Sequence, residues 1–452
     1  MHPSDSPEFP QAPSPATADF EKAQALLNAG DFQQSYQSAI AGLKKDAGHR
    51  PLYALAADAA GRMGAYSVQE RLDRAGKNMH DAEAFYELGE FFFAEYTYDL
   101  AEVFYEKTLD LDPEYPSAVH DLVLSRARQF RIADAVAGFG LLRANTLDFW
   151  ESYMLCKMGI LSADEEGMAL LKSGWLDNLE TSVKNHIGDP EELALCMVKI
   201  AELREGIERF AVVPNVQTHI RDWQFIQYGG AVLDFHDDGE GYLAGGRYAI
   251  SWGTRTTIRS LADKLRQFVQ RLEIPLQGVA ALEDRDSEIV GRVLAKVLDL
   301  PFAAYDPAGD NHGCLIVASE SANLNWSDYK GLSGIKNGQI VFALNHDWLR
   351  PAKITPDIIG QMSQQYHFPW NGGGLQIQLG AAERFTATPR DDRAAEAIAE
   401  EIFQVEVPTA EIGPLLDFYA GCKAYLKGIG TFGQSTRFEF NIESPVPGKF
   451  FS

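Results

Sequence analysis

Residues 313–326, GCLIVASESANLNW, run apolar and then stop at small hydroxyl and carboxylate side chains. A buried parallel strand delivers its end to a ligand in this way, so Ser319 and Ser321, with Glu320 between them, are candidates for holding an anion or a polar substrate. A second candidate is WGTRTT, residues 252–257, where Thr254, Arg255 and Thr256 would set hydroxyls, free amides and one guanidinium at a helix start, the combination that binds phosphate. N-capping by Thr254 explains the same residues. The acidic group Asp234, His236, Asp237, Asp238 and Glu240 suggests a cation loop, but the twelfth position counted from Asp234 is Gly245, where a calcium loop needs a bidentate Glu. A hairpin turn at Asp238-Gly239 accounts for these residues better, and no metal is expected. His346 and Asp347 are adjacent on a strand, so their side chains point to opposite faces and form no dyad. GxSxG, GxxxxGK[ST] and HExxH are all missing.

The bulk composition narrows the partners. Forty Lys and Arg against 64 Asp and Glu give a formal charge of −24. Such a surface repels phosphate backbones and anionic lipids, which argues against nucleic acid and membrane. No apolar run approaches the roughly 18 residues of a membrane span. The four cysteines, Cys156, Cys196, Cys314 and Cys422, are far apart and read as reduced, mostly buried thiols. MHPSDSPEFPQAPSPATA at the N-terminus has no basic start followed by an apolar core, and its Pro and Ser content predicts a disordered tail over residues 1–17. A cytoplasmic protein of two or three domains is expected.

The elements that must position any site divide the chain in two. In residues 81–113, Phe85, Leu88, Gly89 and Phe92 are followed by Ala101, Tyr105 and Pro113. Two antiparallel helices that pack tightly need a small residue where they cross, here Gly89 and Ala101, with large apolar residues around it. Pro113 then ends the second helix. Thirty-four residues on, Leu122, Ala135 and Phe139 repeat Leu88, Ala101 and Tyr105, while looser copies lie around Gly30 and Gly64, with Ser35 and Gln69 where Ala is usual. The pattern resembles the tetratricopeptide repeat (TPR). The resemblance implies a solenoid of four to five helical hairpins over residues 18–204, with a concave face lined by the first helix of each hairpin. On that face it places Glu83, Tyr86, Glu90 and Phe93, then His120 and Leu124 of the next copy. The groove is acidic and aromatic, without the Lys and Asn cluster that captures a C-terminal carboxylate, so a basic or apolar segment of a protein or peptide is the expected partner.

From residue 205 the pattern changes. Residues 223–252 carry β-branched and aromatic runs broken by Gly pairs, which predicts an antiparallel lead-in. Beyond 253, helices and strands alternate, with a helix expected at TPDIIGQMSQQY behind a Thr355 cap and Pro356. The fold class predicted is an all-α TPR-like solenoid followed by an α/β, or α+β, domain, residues 205–452, with a mostly parallel sheet and the antiparallel lead-in. Residues 250–350 also resemble the type I phosphoribosyltransferase fold. That family's loop carries two adjacent acidic residues followed by Thr and Gly, whereas the strand here ends Ala318-Ser319-Glu320-Ser321-Ala322-Asn323. The strand therefore reads as structural. The functional expectation is an interaction scaffold with a non-catalytic ligand- or partner-binding α/β domain and no cofactor. The alternative is an enzyme acting on a phosphorylated or nucleotide-like small molecule.

Overall fold

In the computed structural model, residues 14–446 are described except 130, 139–147, 164–173, 175, 218, 236–246, 336, 337, 374, 379–383 and 435. The chain divides into two compact units, Met1–Met158 and Gly159–Ser452.

The first unit is built from helical hairpins. Its first helices are α1 (Thr17–Ala29), α3 (Arg50–Arg62), α5 (Ala82–Ala94) and α7 (Pro116–Arg128). Each is followed by a partner, α2 (Phe32–Lys45), α4 (Tyr66–Lys77), α6 (Tyr98–Leu111) and α8 (Ile132–Gly138), and α9 (Phe149–Ser162) comes next. The recurrence stays close to the 34 residues read from the sequence. Local chemistry sets the ends. Asp31 and Asp81 cap α2 and α5 by accepting from the Gln34 and Ala84 amides, and Pro116 opens α7, where its missing N–H has no intrahelical partner to lose. The crossing predicted from Gly89 is tight, since a Cβ there would stand 2.6 Å from the Tyr105 ring. Phe85, Leu88, Phe92, Leu100, Ala101, Phe104 and Tyr105 fill around it.

The second unit opens with α10 (Leu176–His186), α11 (Pro190–Val212) and α12 (Ile220–Tyr228). Here the structure differs from three expectations. First, α11 runs through residue 204 and belongs with the C-terminal unit: Glu205 and Arg209 form a buried ion pair, Glu205 also pairs with Lys427 at 2.7 Å, and Arg209 donates to the Tyr425 carbonyl. The sequence boundary fell inside a helix because its polar residues face a neighbour rather than solvent. Second, residues 220–228 are helical: Ile220, Trp223 and Ile226 are buried at helical spacing, and Gly229 at φ 67° stops the helix. The antiparallel lead-in is replaced by β1 (Ala231–Val232) and β2 (Arg247–Trp252), both pairing in parallel with β7 (Ile358–His367). The hairpin turn at Asp238-Gly239 lies outside the described residues. Third, the expected helix at 355–366 is this strand β7. Asp357 is held by Arg437 and the Val341 amide, and a Cβ on Gly360 would lie 2.4 Å from the Leu344 carbonyl oxygen. Buried on both faces as a central strand, β7 shows a continuous apolar start that periodicity cannot separate from a helix.

The remaining strands are β3 (Gly278–Ala281), β4 (Phe302–Ala304), β5 (Cys314–Glu320) and β6 (Ile340–His346), giving the sheet order β1-β7-β6-β5-β3-β4, all parallel. An antiparallel pair, β8 (Leu375–Gln378) with β9 (Arg384–Ala387), stands apart from it. One layer on the sheet comes from α13 (Arg255–Arg271), α14 (Arg285–Leu298), α15 (Ala395–Phe403) and α16 (Gly413–Gly421). A separate cluster packs Leu324, Tyr329, Leu332 and Ile354 on Ala280, Ile316, Ala318, Val341 and Ala343. No helix among the described residues is long and apolar enough to cross a membrane.

Candidate functional site

Two places bring functional side chains together, one in each unit. In the second unit the chain leaves β3 toward β4 on one side, while β5 lies on the other, so the strand order reverses between β3 and β5. Open parallel sheets bind ligands beyond the carboxyl ends of the strands at such a point. Asp284 sits there as the N-cap of α14, accepting from the Ser287 amide and hydroxyl at 2.8 and 2.6 Å. The Ser287 hydroxyl accepts from the Ser319 amide, and Asn323 donates to Asp284 and to the Ser319 hydroxyl. Ser319 and Ser321 are each 1% exposed, and Ser321 opens a 3₁₀ turn, Ser321–Asn325, with no glycine to wrap a phosphate. The network joins β3, α14 and β5 into one wall.

Glu320 ends β5 beside this wall. Burial, then the neighbouring Asp347, Asp286 and Asp284, push its carboxyl up to about 7, against the opposing Arg350. Asp286 is held by the Trp370 indole and the Asn371 amide at 2.6 and 2.9 Å. No group of three or more His, Cys, Asp and Glu among the described residues is arranged to hold a metal ion.

The other anion candidates lie elsewhere. Thr254 and Thr257 form a reciprocal capping box at the start of α13, and Arg255 is paired with Asp391 at 3.2 Å and Glu401 at 3.0 Å. Thr256 is exposed. In the sheet, β2 is separated from β5 by β7 and β6, so Thr254, Arg255 and Thr256 do not converge with Ser319 and Ser321. His346 is wholly buried edge-on to Phe440 and Asp347 accepts from the Leu349 amide, so the two make no dyad.

In the first unit, α5, α7 and α9 contribute to one groove of about 460 Å³, lined by Tyr86, Pro116, Ser117, His120, Asp121, Asp148, Trp150 and Glu151. The Tyr86 hydroxyl donates to Asp121 at 2.8 Å, and His120 Nδ1 lies 3.0 Å from the same carboxylate, which holds the imidazole above its ordinary pKa with help from Glu151 and Asp148. Asp148 and Glu151 each accept from the other's amide at 2.9 Å. Tyr115 donates to Glu83. Glu90 is raised, first by desolvation and then by Asp121. Among the described residues no Lys or Arg pairs with Glu83, Glu90, Asp121, Asp148 or Glu151. Trp150 is 37% exposed.

Of the sequence candidates, Tyr86 and His120 line the groove. Glu83 and Glu90 stand on the same helix as Tyr86, whereas Phe93 packs edge-on to Tyr98 at 5.1 Å and Leu124 is half-buried. Asp121, Asp148, Trp150 and Glu151 were missed. The signal was available for Glu151, which continues Glu83 and Ser117 at the same 34-residue step.

No protein-family model and no curated protein sequence matches the chain, and the phosphoribosyltransferase resemblance has no support from them. A solved structure described as "Functional Characterization of Pseudomonas Aeruginosa pilF" is similar to this chain at 15% identity over 44% of this chain and 93% of that one, with a TM-score of 0.23. A likeness that weak does not bear on the reading, which rests on the helical hairpins themselves.

Proposed function

We propose that this protein is an interaction scaffold whose N-terminal hairpins bind a basic or apolar segment of a protein partner, and whose α/β unit binds a ligand or second partner without turnover. The observation that carries the reading is the groove across α5, α7 and α9, where the exposed Trp150 indole, the half-buried Tyr86 and carboxylates unpaired with any Lys or Arg among the described residues line one surface. A groove of that character favours a cationic segment over an anionic one. The test is Glu83→Lys with Glu90→Lys. Both side chains are exposed, so the fold should persist, while affinity for basic peptides falls by about 1–3 kcal/mol. A partner set in pull-downs that is unchanged by the double substitution, with circular dichroism confirming the fold, would refute the reading.

One observation favours the alternative of an enzyme on a phosphorylated or nucleotide-like molecule. Glu320, titrating near neutrality at a strand end, has the character of a general acid or base.

A further inference from the structure

The α/β unit carries a groove of about 480 Å³ that begins at Leu324, directly after Asn323 of the strand-end wall, and shares no lining residue with that wall. Its apolar surface comes from Leu195 and Val198 of α11, Leu324 and Trp326 after β5, and Ile354 and Phe438. Leu195 and Trp326 are 45% and 53% exposed, two of the eight large apolar side chains left exposed among the described residues. Trp326 stacks on Tyr329 at 6.2 Å, so its indole is oriented rather than loose. The Asn325 carboxamide accepts from the Lys353 amide at 2.7 Å, tying the segment after β5 to the β6–β7 connection, and Arg437 is locked on Asp357. The groove is thus preformed, of a size in the range of about 300–1,000 Å³ usual for small-molecule sites, and mostly apolar.

Its charges distinguish the occupant. In a chain of net charge −24, the groove is lined by Lys199, Lys330, Lys353 and Arg437 with Glu202 and Glu439, of which Lys199, Glu202 and Arg437 are buried. Lys199 is buried beside Glu202 at 3.1 Å. Lys353 reaches Glu439 only at 3.4 Å with its side chain 74% exposed, and Lys330 makes no ion pair among the described residues. An apolar floor with accessible ammonium groups at its edge complements a molecule with an apolar body and one anionic head. We infer that this groove is a binding site for a small amphipathic carboxylate, held by Leu195, Trp326 and Phe438 along its body and by Lys330 and Lys353 at its head. The inference gives a location and a ligand class to the ligand-binding role proposed for the α/β unit. The repeat groove has no part in it.

The test uses the full chain with decanoate, decanol and decylammonium as probes, followed by calorimetric titration. Decanoate should bind saturably and at least about tenfold more tightly than decylammonium. Lys330→Glu with Lys353→Glu should weaken decanoate about tenfold or more and leave decanol unchanged, a factor of ten corresponding to about 1.4 kcal/mol. Trp326→Ala, at an exposed position, should weaken both decanoate and decanol. Equal affinity for decylammonium, or decanoate binding that ignores the lysine pair, overturns the anionic head. Failure of all three probes to saturate overturns the site altogether, while basic-peptide binding by the repeats would still stand or fall on its own measurement.

Discussion

Glu320 concentrates the conflict between position and solvation. Its carboxyl is removed from water and placed among Asp347, Asp286 and Asp284, so the folded chain holds the neutral form up to about pH 7. Because the folded value lies above the ordinary glutamate value of 4.5, this side chain favours the fold fully below that ordinary value, and the contribution is lost as pH rises through about 7. Glu320→Gln keeps the shape and removes the charge. We expect the variant to melt about 2–4 °C higher than the parent at pH 8 and equally at pH 4. An unchanged melting temperature at pH 8 would mean that the carboxylate is stabilised by a partner. A gain in stability at this position is also what a residue kept for function rather than packing would show. His120 is also raised, but there the charged form is the one held: Asp121 keeps its proton, so the imidazolium persists above its ordinary pKa. As pH falls through that raised value, the groove gains a positive charge, and a basic peptide should bind more weakly at pH 5.5 than at pH 8. His120→Gln should flatten that profile, and a profile left unchanged would remove His120 from the groove's electrostatics.

At the scale of elements, the hairpin turns show where the repeat is perfect and where it is not. Gly30 and Gly64 take the left-handed conformation two residues before their second helices, and Tyr96 occupies the equivalent place at φ 59°. The left-handed region costs a side chain about 1–2 kcal/mol, whereas introducing glycine costs about 0.5–1 kcal/mol in backbone entropy. Strain relief is the larger, and the Tyr96 ring is 70% exposed, so Tyr96→Gly should raise the melting temperature of the repeats slightly. Gly89→Ala should lower the stability of the repeats by about 1–3 kcal/mol, since the new methyl meets the Tyr105 ring at 2.6 Å. A tolerated alanine would show that the ring can shift. These hairpins were readable in the sequence because each buries its face against neighbours in the chain, so spacing alone encodes the contact. The sheet was readable only where a helix separated two strands, as at β3, α14 and β5. At β7 the partners on one side, β1 and β2, lie far back in the sequence, and Thr355-Pro356 imitates a helix start. At α12 the β-branched and aromatic residues that suggested strands are set by tertiary burial of Ile220, Trp223 and Ile226. The strand-end candidates Ser319 and Ser321 lie at the carboxyl end of β5. The commitment of Ser319 to Asp284 and Ser287 depends on side chains more than 30 residues away, which no local pattern carries.

At the scale of the whole molecule, the question is where one folding unit stops. The sequence placed the division at 204/205, where periodicity weakens, but the compact units divide at 158/159 and α11 crosses the earlier boundary intact. The buried side chains Cys196, Ile200 and Leu203 precede residue 205, and Glu205, Arg209 and Lys427 follow in one network with almost no exposure. A fragment beginning at residue 205 would discard the first four turns of α11 with their buried apolar side chains and keep the charged network at a frayed helix end. Each large aliphatic residue withdrawn from a core costs about 2–5 kcal/mol, a large share of the roughly 5–15 kcal/mol that holds a domain together. A fragment of residues 176–452 should therefore melt cooperatively near the corresponding transition of the full chain, whereas residues 205–452 should aggregate or melt well below it. The same truncation removes Leu195, Val198 and Lys199 from the apolar groove, so decanoate binding should survive in the longer fragment and vanish in the shorter. If residues 205–452 fold with an unchanged melting temperature, α11 is an appendage of the repeats and the division belongs where the sequence placed it.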